Sequence, residues 1–286
     1  MSLTPDQEIM RRGFVGASEV PCLLKVSPFG NPISVWCSKM NIDIRETTDA
    51  MDLGNFLEPG IARMYQHKSG RTVIPWTSVV HPKHSFMGCT PDLICFGERR
   101  IVQIKLVGAW MATHWSDDAV PEYVMAQIQQ ELEVCDADVC DVVAVIGGTD
   151  YRVYTIERDR ELGGYLVEVC RKFWTDHVLT REMPPVDASP QAEAALRALY
   201  ARGKRPLIEA TEESDRAARA YLTAHQAEGK AKEEKTLAGN QLRSLLGDHE
   251  GIEGDSYRVR WSAPNEKGTR TFTCKEIQIK KARIAA

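Results

Sequence analysis

The chain has 286 residues, 43% of them hydrophobic, and a formal net charge of −4. That is enough for one substantial domain with a smaller appendage, and too apolar for general disorder. No apolar run approaches the ~20 residues that span a bilayer, so no membrane attachment is expected. The opening stretch MSLTPDQEIMRRGF lacks the apolar core of a signal peptide, which points to the cytoplasm. The acidic balance carries no bulk signature of a nucleic-acid binder. Binding depends on where the cations sit, however, and a site built from carboxylates would itself draw the total negative. The eight cysteines form no CxxC pair and sit mostly in apolar surroundings, as buried reduced thiols do.

In chain order, SEVPCLLKV and NPISVWCSKM read as two short helices with Ser18 and Asn31 as caps. MDLGNFLEPGIARMYQHKSG reads as a longer helix, with Leu53, Leu57, Ile61, Met64 and Tyr65 at helical spacing and Gly70 at its end. RTVIPWTSVV is a strand weakened at Pro75. FMGCTPDLICFGERRIVQIKLV reads as a β-hairpin turning at Gly97-Glu98-Arg99. PEYVMAQIQQELEVC is a helix with Pro121 in its first turn, followed by strands DVVAVIGG and YRVYTIE and a long helix RDRELGGYLVEVCRKFWTDHV. The fold class is therefore α/β, a mixed sheet flanked by helices.

The Pro-rich stretch EMPPVDASP reads as a linker, which divides the chain into a domain over residues 1–185 and a C-terminal part over 186–286. The latter is expected to be a helical arm, mostly polar with a thin stripe of Ala and Leu, plus a short β-hairpin. From Tyr257 onward Arg258, Arg260, Lys267, Arg270, Lys275, Lys280, Lys281 and Arg283 stand against Glu266 and Glu276. Such a basic tail suits contact with a DNA backbone.

The chemistry is concentrated around Thr90-Pro91-Asp92 and Gln103-Ile104-Lys105. Alternate side chains of a strand share a face, so Gln103 and Lys105 point one way and Ile104 points into the core. A short hairpin can bring Asp92 beside them. A hard divalent cation wants oxygen ligands, and a lysine next to it can orient water and stabilise charge on a phosphate. Glu58, on the preceding helix, is a further ligand or water-positioning group.

The segments RRGFVGASEV (Arg11 to Val20), GNFLEP (Gly54 to Pro59), TPDL, VQIK, VPEYVMAQIQ and IERD…FW follow one another in order from Arg11 to His177. Together they resemble the YqaJ / lambda-exonuclease family of PD-(D/E)XK nucleases. The resemblance implies a restriction-endonuclease-like fold and a Mg²⁺-dependent 5′→3′ exonuclease on double-stranded DNA, with Mn²⁺ able to substitute. It implies that Asp92, Gln103, Glu58 and the Ile104 carbonyl gather the metal beside the catalytic Lys105, and that Gln127 contacts the reacting region. Arg11, Ser18 and Thr90 match the pocket for the DNA 5′-phosphate. His114 stands where a further cation of that pocket could be supplied. A phage or prophage origin, a single-strand annealing partner and a ring-shaped homotrimer are also implied.

The chain departs from the family pattern at Gln103, where the family has Glu or Asp. Gln keeps an oxygen donor but loses the charge, and one unit charge about 4 Å from another is worth roughly 4 kcal/mol at an effective dielectric near 20. Weakened metal binding is the expectation, whether the residue is natural or an introduced Glu→Gln change. Two other readings stay open: a nuclease-fold protein that binds DNA ends with weakened or no catalysis, and an endonuclease of the same fold.

Overall fold

The computed structural model describes residues 9–42, 44, 49–115, 118–201, 203, 206–264 and 268–277. Its elements run β1 (Val15–Gly16), α1 (Val20–Leu23), α2 (Pro32–Lys39), α3 (Asp49–Ser69), β2 (Val73–Pro75), β3 (Val79–Val80), β4 (Met87–Cys89), β5 (Leu93–Cys95) and β6 (Arg100–Val107). They continue with α4 (Glu122–Cys135), β7 (Val139–Ile146), β8 (Asp150–Glu157), α5 (Arg160–Phe173), α6 (Pro190–Leu199), α7 (Glu212–Leu246), β9 (Gly251–Glu253), β10 (Tyr257–Trp261) and β11 (Phe272–Glu276). Contacts divide the chain into two compact units, Met1–Gly203 and Lys204–Ala286.

The first unit is built on a five-stranded sheet in the order β2-β5-β6-β7-β8. The β6–β7 pair is parallel and the others are antiparallel, so the sheet is mixed. A smaller sheet, β1-β4-β3, lies apart from it. The stretch RTVIPWTSVV therefore does not form one strand. It splits at Pro75 into β2 and β3, which join different sheets, because proline cannot donate to a ladder. FMGC likewise forms β4 of the smaller sheet, and only β5 and β6 make the hairpin.

Along β6 the side chains alternate as a strand requires. Ile101 and Val107 join an apolar cluster with Val124, Ile128 and Leu132 of α4. Val102 and Ile104 join another with Ile61 and Tyr65 of α3. The central strand is thus covered on both faces, and Gln103 and Lys105 share the α4 side. Of the stripe expected to bury α3, only Ile61 and Tyr65 go inside. Leu53, Leu57 and Met64 remain exposed.

Helix α4 lies between two cores, since Ala126 and Val134 face the cluster around β1, β4 and α2. Its polar side chains bridge the layers. Gln130 donates to the carbonyls of Val15 and Gly88 at 2.8 and 3.0 Å, tying β1 and β4 to the helix. A Cβ on Gly88 would fall 2.5 Å from the Phe14 ring, so only glycine lets that ring lie against β4.

The expected domain boundary at 185/186 falls too early. Ser189 caps α6, and Ala192 and Ala195 are buried in the same core as Trp36, so the first unit runs on to Gly203. Asn31 caps α2 as expected, with a full capping box. Ser18 does not cap α1. The N-cap is Glu19, which makes no side-chain cap bond, and the helix has four residues.

The second unit holds the 35-residue α7, whose only buried residue is Leu246, and a three-stranded antiparallel sheet in the order β9-β10-β11 rather than a hairpin. Its cations are partly engaged: Arg258 pairs with Glu253, and Arg270 stacks 3.8 Å from the Trp261 ring. Arg260 and Lys275 are exposed, while Lys267, Lys280, Lys281 and Arg283 lie outside the described residues. No helix among the described residues is long and apolar enough to cross a membrane.

Candidate active site

A cavity of about 440 Å³ opens in the first unit where β6, α3, α4 and the segment around β1 converge. Arg11, Ser18, Glu58, Thr90, Asp92, Gln103, Ile104, Lys105 and Gln127 all line it. These nine positions, which span more than a hundred residues, therefore line one space. His114 is exposed on the short 3₁₀ segment Ala109–His114, outside that lining.

The β5–β6 hairpin positions the centre. Leu93 pairs with Val102, so the preceding Asp92 meets the strand beside Gln103 and Ile104. Its Oδ2 accepts the Ile104 N–H at 2.7 Å. Burial pushes the Asp92 carboxyl up to about 6, against the pull of Lys105 and the Ile104 N–H, and nearby Glu58 adds to the rise. This is a carboxyl that would gain from a cation. Gln103 is buried, and its Oε1 has no hydrogen-bond partner. An unsatisfied buried acceptor is costly and calls for a missing partner.

The available donors are all hard oxygens: Asp92, Glu58, Gln103 Oε1 and the Ile104 carbonyl. They fit a magnesium-type ion by their chemistry. Among the described residues no three His, Cys, Asp or Glu side chains group as ligands. A third donor would therefore have to be an uncharged oxygen, Gln103 Oε1 or the Ile104 carbonyl.

Lys105 does not hang free. Its Nζ donates to Gln127 Oε1 at 2.8 Å, and Gln127 Nε2 donates to Glu131 Oε1 at 2.8 Å. Glu131 was not singled out in the sequence, yet it lines the same cavity. The available signal was its spacing: positions 127 and 131 are one turn apart and share a helix face.

The lining also holds Arg11, whose Nη2 donates to Ser18 Oγ at 2.9 Å. The backbone here is pinned by a buried ion pair. Lys39 Nζ reaches Glu19 Oε2 at 2.6 Å and the Arg11 carbonyl at 2.8 Å, and Glu19 also accepts from the Gly16 N–H. Thr90 Oγ1 shares a hydrogen bond with Ser78 Oγ at 2.8 Å. A fork-shaped cation and two hydroxyls thus line the same cavity as Asp92. The four-residue α1 is too short to add a helix-dipole field of consequence.

Residues 8–138 match the family model described as the YqaJ-like viral recombinase domain. The chain is 26% identical over 260 residues to the uncharacterized protein YqaJ of Bacillus subtilis, covering 88% of this chain and 81% of that one. Among solved structures it is similar to the alkaline exonuclease LHK-Exo from Laribacter hongkongensis, with a TM-score of 0.53 and 20% identity over 63% of this chain and 94% of that one. The structure of LHK-Exo in complex with dAMP matches with a TM-score of 0.51 and 20% identity, covering 70% of this chain and 97% of that one. Both are structures of LHK-Exo, and the likeness is one of fold. Motifs, fold and family match agree, and over residues 8–138 the chain is similar to the YqaJ-like viral recombinase domain.

Proposed function

We propose that the chain is a deoxyribonuclease, specifically a Mg²⁺-dependent 5′→3′ exonuclease that acts on double-stranded DNA and leaves 3′ single strands for recombination. The observation that carries this reading is the convergence of Asp92, Gln103 Oε1, Glu58 and Lys105 on one cavity, with a buried oxygen that lacks a partner. Mg²⁺, or Mn²⁺ in its place, would when bound lower the pKa of water and neutralise phosphate charge.

The chain's own residues have separable tasks. Asp92, Glu58, Gln103 Oε1 and the Ile104 carbonyl supply the oxygen donors. Lys105 presents an ammonium to the developing charge on the phosphate, held in place by Gln127. Arg11 offers a bidentate fork to a terminal 5′-phosphate, with Ser18 and Thr90 as hydroxyl donors. Thr90 lies two residues before Asp92, so a captured end would put the next phosphodiester beside the reacting centre. A relative of the same fold is an alkaline exonuclease solved with dAMP. A 5′-nucleotide is the product class that stepwise hydrolysis from such an end would release. A single-strand annealing protein and a trimer around DNA belong to the same proposal.

The amide at position 103 favours a second reading, a DNA-end-binding protein with weak or no hydrolysis. A linear-versus-circular assay in Mg²⁺, run on this chain and on Gln103→Glu, separates the possibilities. The exonuclease reading expects degradation of linear duplex only, and faster degradation by Gln103→Glu. Nicking of closed circles would make it an endonuclease. End binding without hydrolysis by either protein would establish the second reading.

A further inference from the structure

Helix α4 carries an unbroken run of seven buried residues from Ala126 to Leu132, and its polar members are not alike in what they do. Gln129 donates to the Glu157 carbonyl and accepts the Asp159 N–H, both at 2.8 Å. Gln130 holds the Val15 and Gly88 carbonyls. Both glutamines fasten backbone, so their burial is explained by architecture. Glu131 is 1% exposed, its Oε1 accepts from the side chain of Gln127, and its Oε2 is buried without a hydrogen-bond partner.

A buried carboxyl with an unpaired oxygen costs folding free energy, and an apolar residue would avoid that cost. The adjacent Leu132 and the nearby Ile128 are wholly buried, so the helix here already sits in an apolar setting. Packing alone does not account for an acid at this position.

The amide of Gln127 does account for it. An ammonium can only donate, so the Lys105 contact requires the amide oxygen at that end. The amide nitrogen must then face position 131, where it needs an acceptor. A carboxyl oxygen is one in either protonation state. We propose that Glu131 is a positioning residue of this site: by holding the Gln127 amide in one orientation, it fixes the Lys105 ammonium over the cavity that Asp92 and Gln103 share. The inference rests on the nuclease reading above. Burial pushes the Glu131 carboxyl up to about 8, opposed by the Gln127 hydrogen bond and by Lys105, which agrees with an acid retained against its solvation cost.

The test uses the full chain, in the Gln103→Glu background if the unaltered chain is slow. Glu131→Met keeps length and removes the acceptor. It is expected to lower kcat by about 10²-fold with KM for duplex within twofold, and to leave the melting temperature unchanged or higher. Glu131→Gln restores an acceptor and is expected to recover most of that loss. In a Gln127→Leu background, Glu131→Met should cost less than about twofold more, because the relay is already cut. Glu131→Ser, too short to reach Gln127, provides a second route to the same kcat loss if the Met variant does not fold.

One readout does not need activity. The Gln127 side-chain N–H₂ pair should be shifted and exchange-protected in ¹⁵N spectra of the unaltered chain, and should lose that protection in Glu131→Met. A full kcat in Glu131→Met, an undiminished effect without Gln127, or unchanged Gln127 signals would overturn the proposal. Protected signals that respond to Glu131→Met in a chain with no hydrolysis would uphold the positioning contact and overturn the nuclease reading alone.

Discussion

Helices α4 and α7 both carry Gln and Glu side chains, yet they lead opposite lives. Of the 14 residues of α4, nine are buried, including Gln127, Gln129, Gln130 and Glu131. Of the 35 residues of α7, only Leu246 is. A polar side chain on α7 is solvated and costs nothing. A polar side chain on α4 has given up water, so it must be bonded, and its partner states its purpose. Gln127 of α4 holds Lys105 in the cavity, and Gln130 ties β1 and β4 to the helix. Composition is silent about function until burial is known.

The largest stability effect expected from breaking this contrast is at Gln130. Gln130→Leu strands the Val15 and Gly88 carbonyls and should cost roughly 2–3 kcal/mol by urea denaturation. The matching change on the exposed helix, Gln226→Leu, should stay within about 0.5 kcal/mol. Equal costs would remove the distinction between the two helices.

Next in size is Arg11. Arg11→Ala should reduce the preference for 5′-phosphate over 5′-hydroxyl ends by about tenfold, in line with one or two charge-assisted hydrogen bonds, and should leave binding to internal duplex nearly intact. Competition kinetics on the two kinds of end read this directly. An unchanged preference would detach the pocket from Arg11 and Ser18.

A smaller effect concerns pH. The Glu131 carboxyl rises from its ordinary 4.5 to about 8 on folding, so the folded chain holds a proton that the unfolded chain has released. This group's contribution to stability is full below about 4.5 and is lost as pH rises toward 8. In metal-free buffer, Glu131→Gln should therefore gain stability relative to the unaltered chain between about pH 5 and pH 8. A pH-independent difference in melting temperature would place Glu131 in a more polar setting than the structure shows.

The smallest effect lies in the second unit. Arg260 and Lys275 are exposed on its sheet, and if they meet DNA, each removal should flatten the salt dependence of binding by about one unit of slope. Arg258 and Arg270 are engaged within the sheet, so their removal should register in the stability of the unit.

Much of the site was legible because its parts are local. The period of two in VQIK put Gln103 and Lys105 on one face, and the short turn at Gly97 to Arg99 brought Asp92 to them. The resemblance carried Arg11, Ser18, Thr90, Glu58 and Gln127 to the same place, where the cavity now shows them together. What was not legible depends on tertiary packing. The exposure of Leu53, Leu57 and Met64 depends on which face of α3 meets the sheet, and helical spacing alone does not say. The boundary at Pro184–Pro185 looked like a linker, yet two alanines of α6 suffice to anchor the next helix against α2. Glu131 is not distinguished by the sequence, because its burial depends on α4 being covered on both sides.

The account turns on one claim, that the cavity around Asp92 hydrolyses DNA from its ends. The direct measurement is release of 5′-nucleotides from linear 5′-phosphorylated duplex in Mg²⁺, comparing the unaltered chain, Gln103→Glu, and Gln103→Glu combined with Asp92→Asn or Lys105→Ala, with melting curves for each. The account predicts faster release on restoring the carboxylate at 103, and a loss of roughly 10³-fold from either second change with the melting temperature held. Release that persists without Asp92 and Lys105, in a protein that still melts as the parent does, would contradict it.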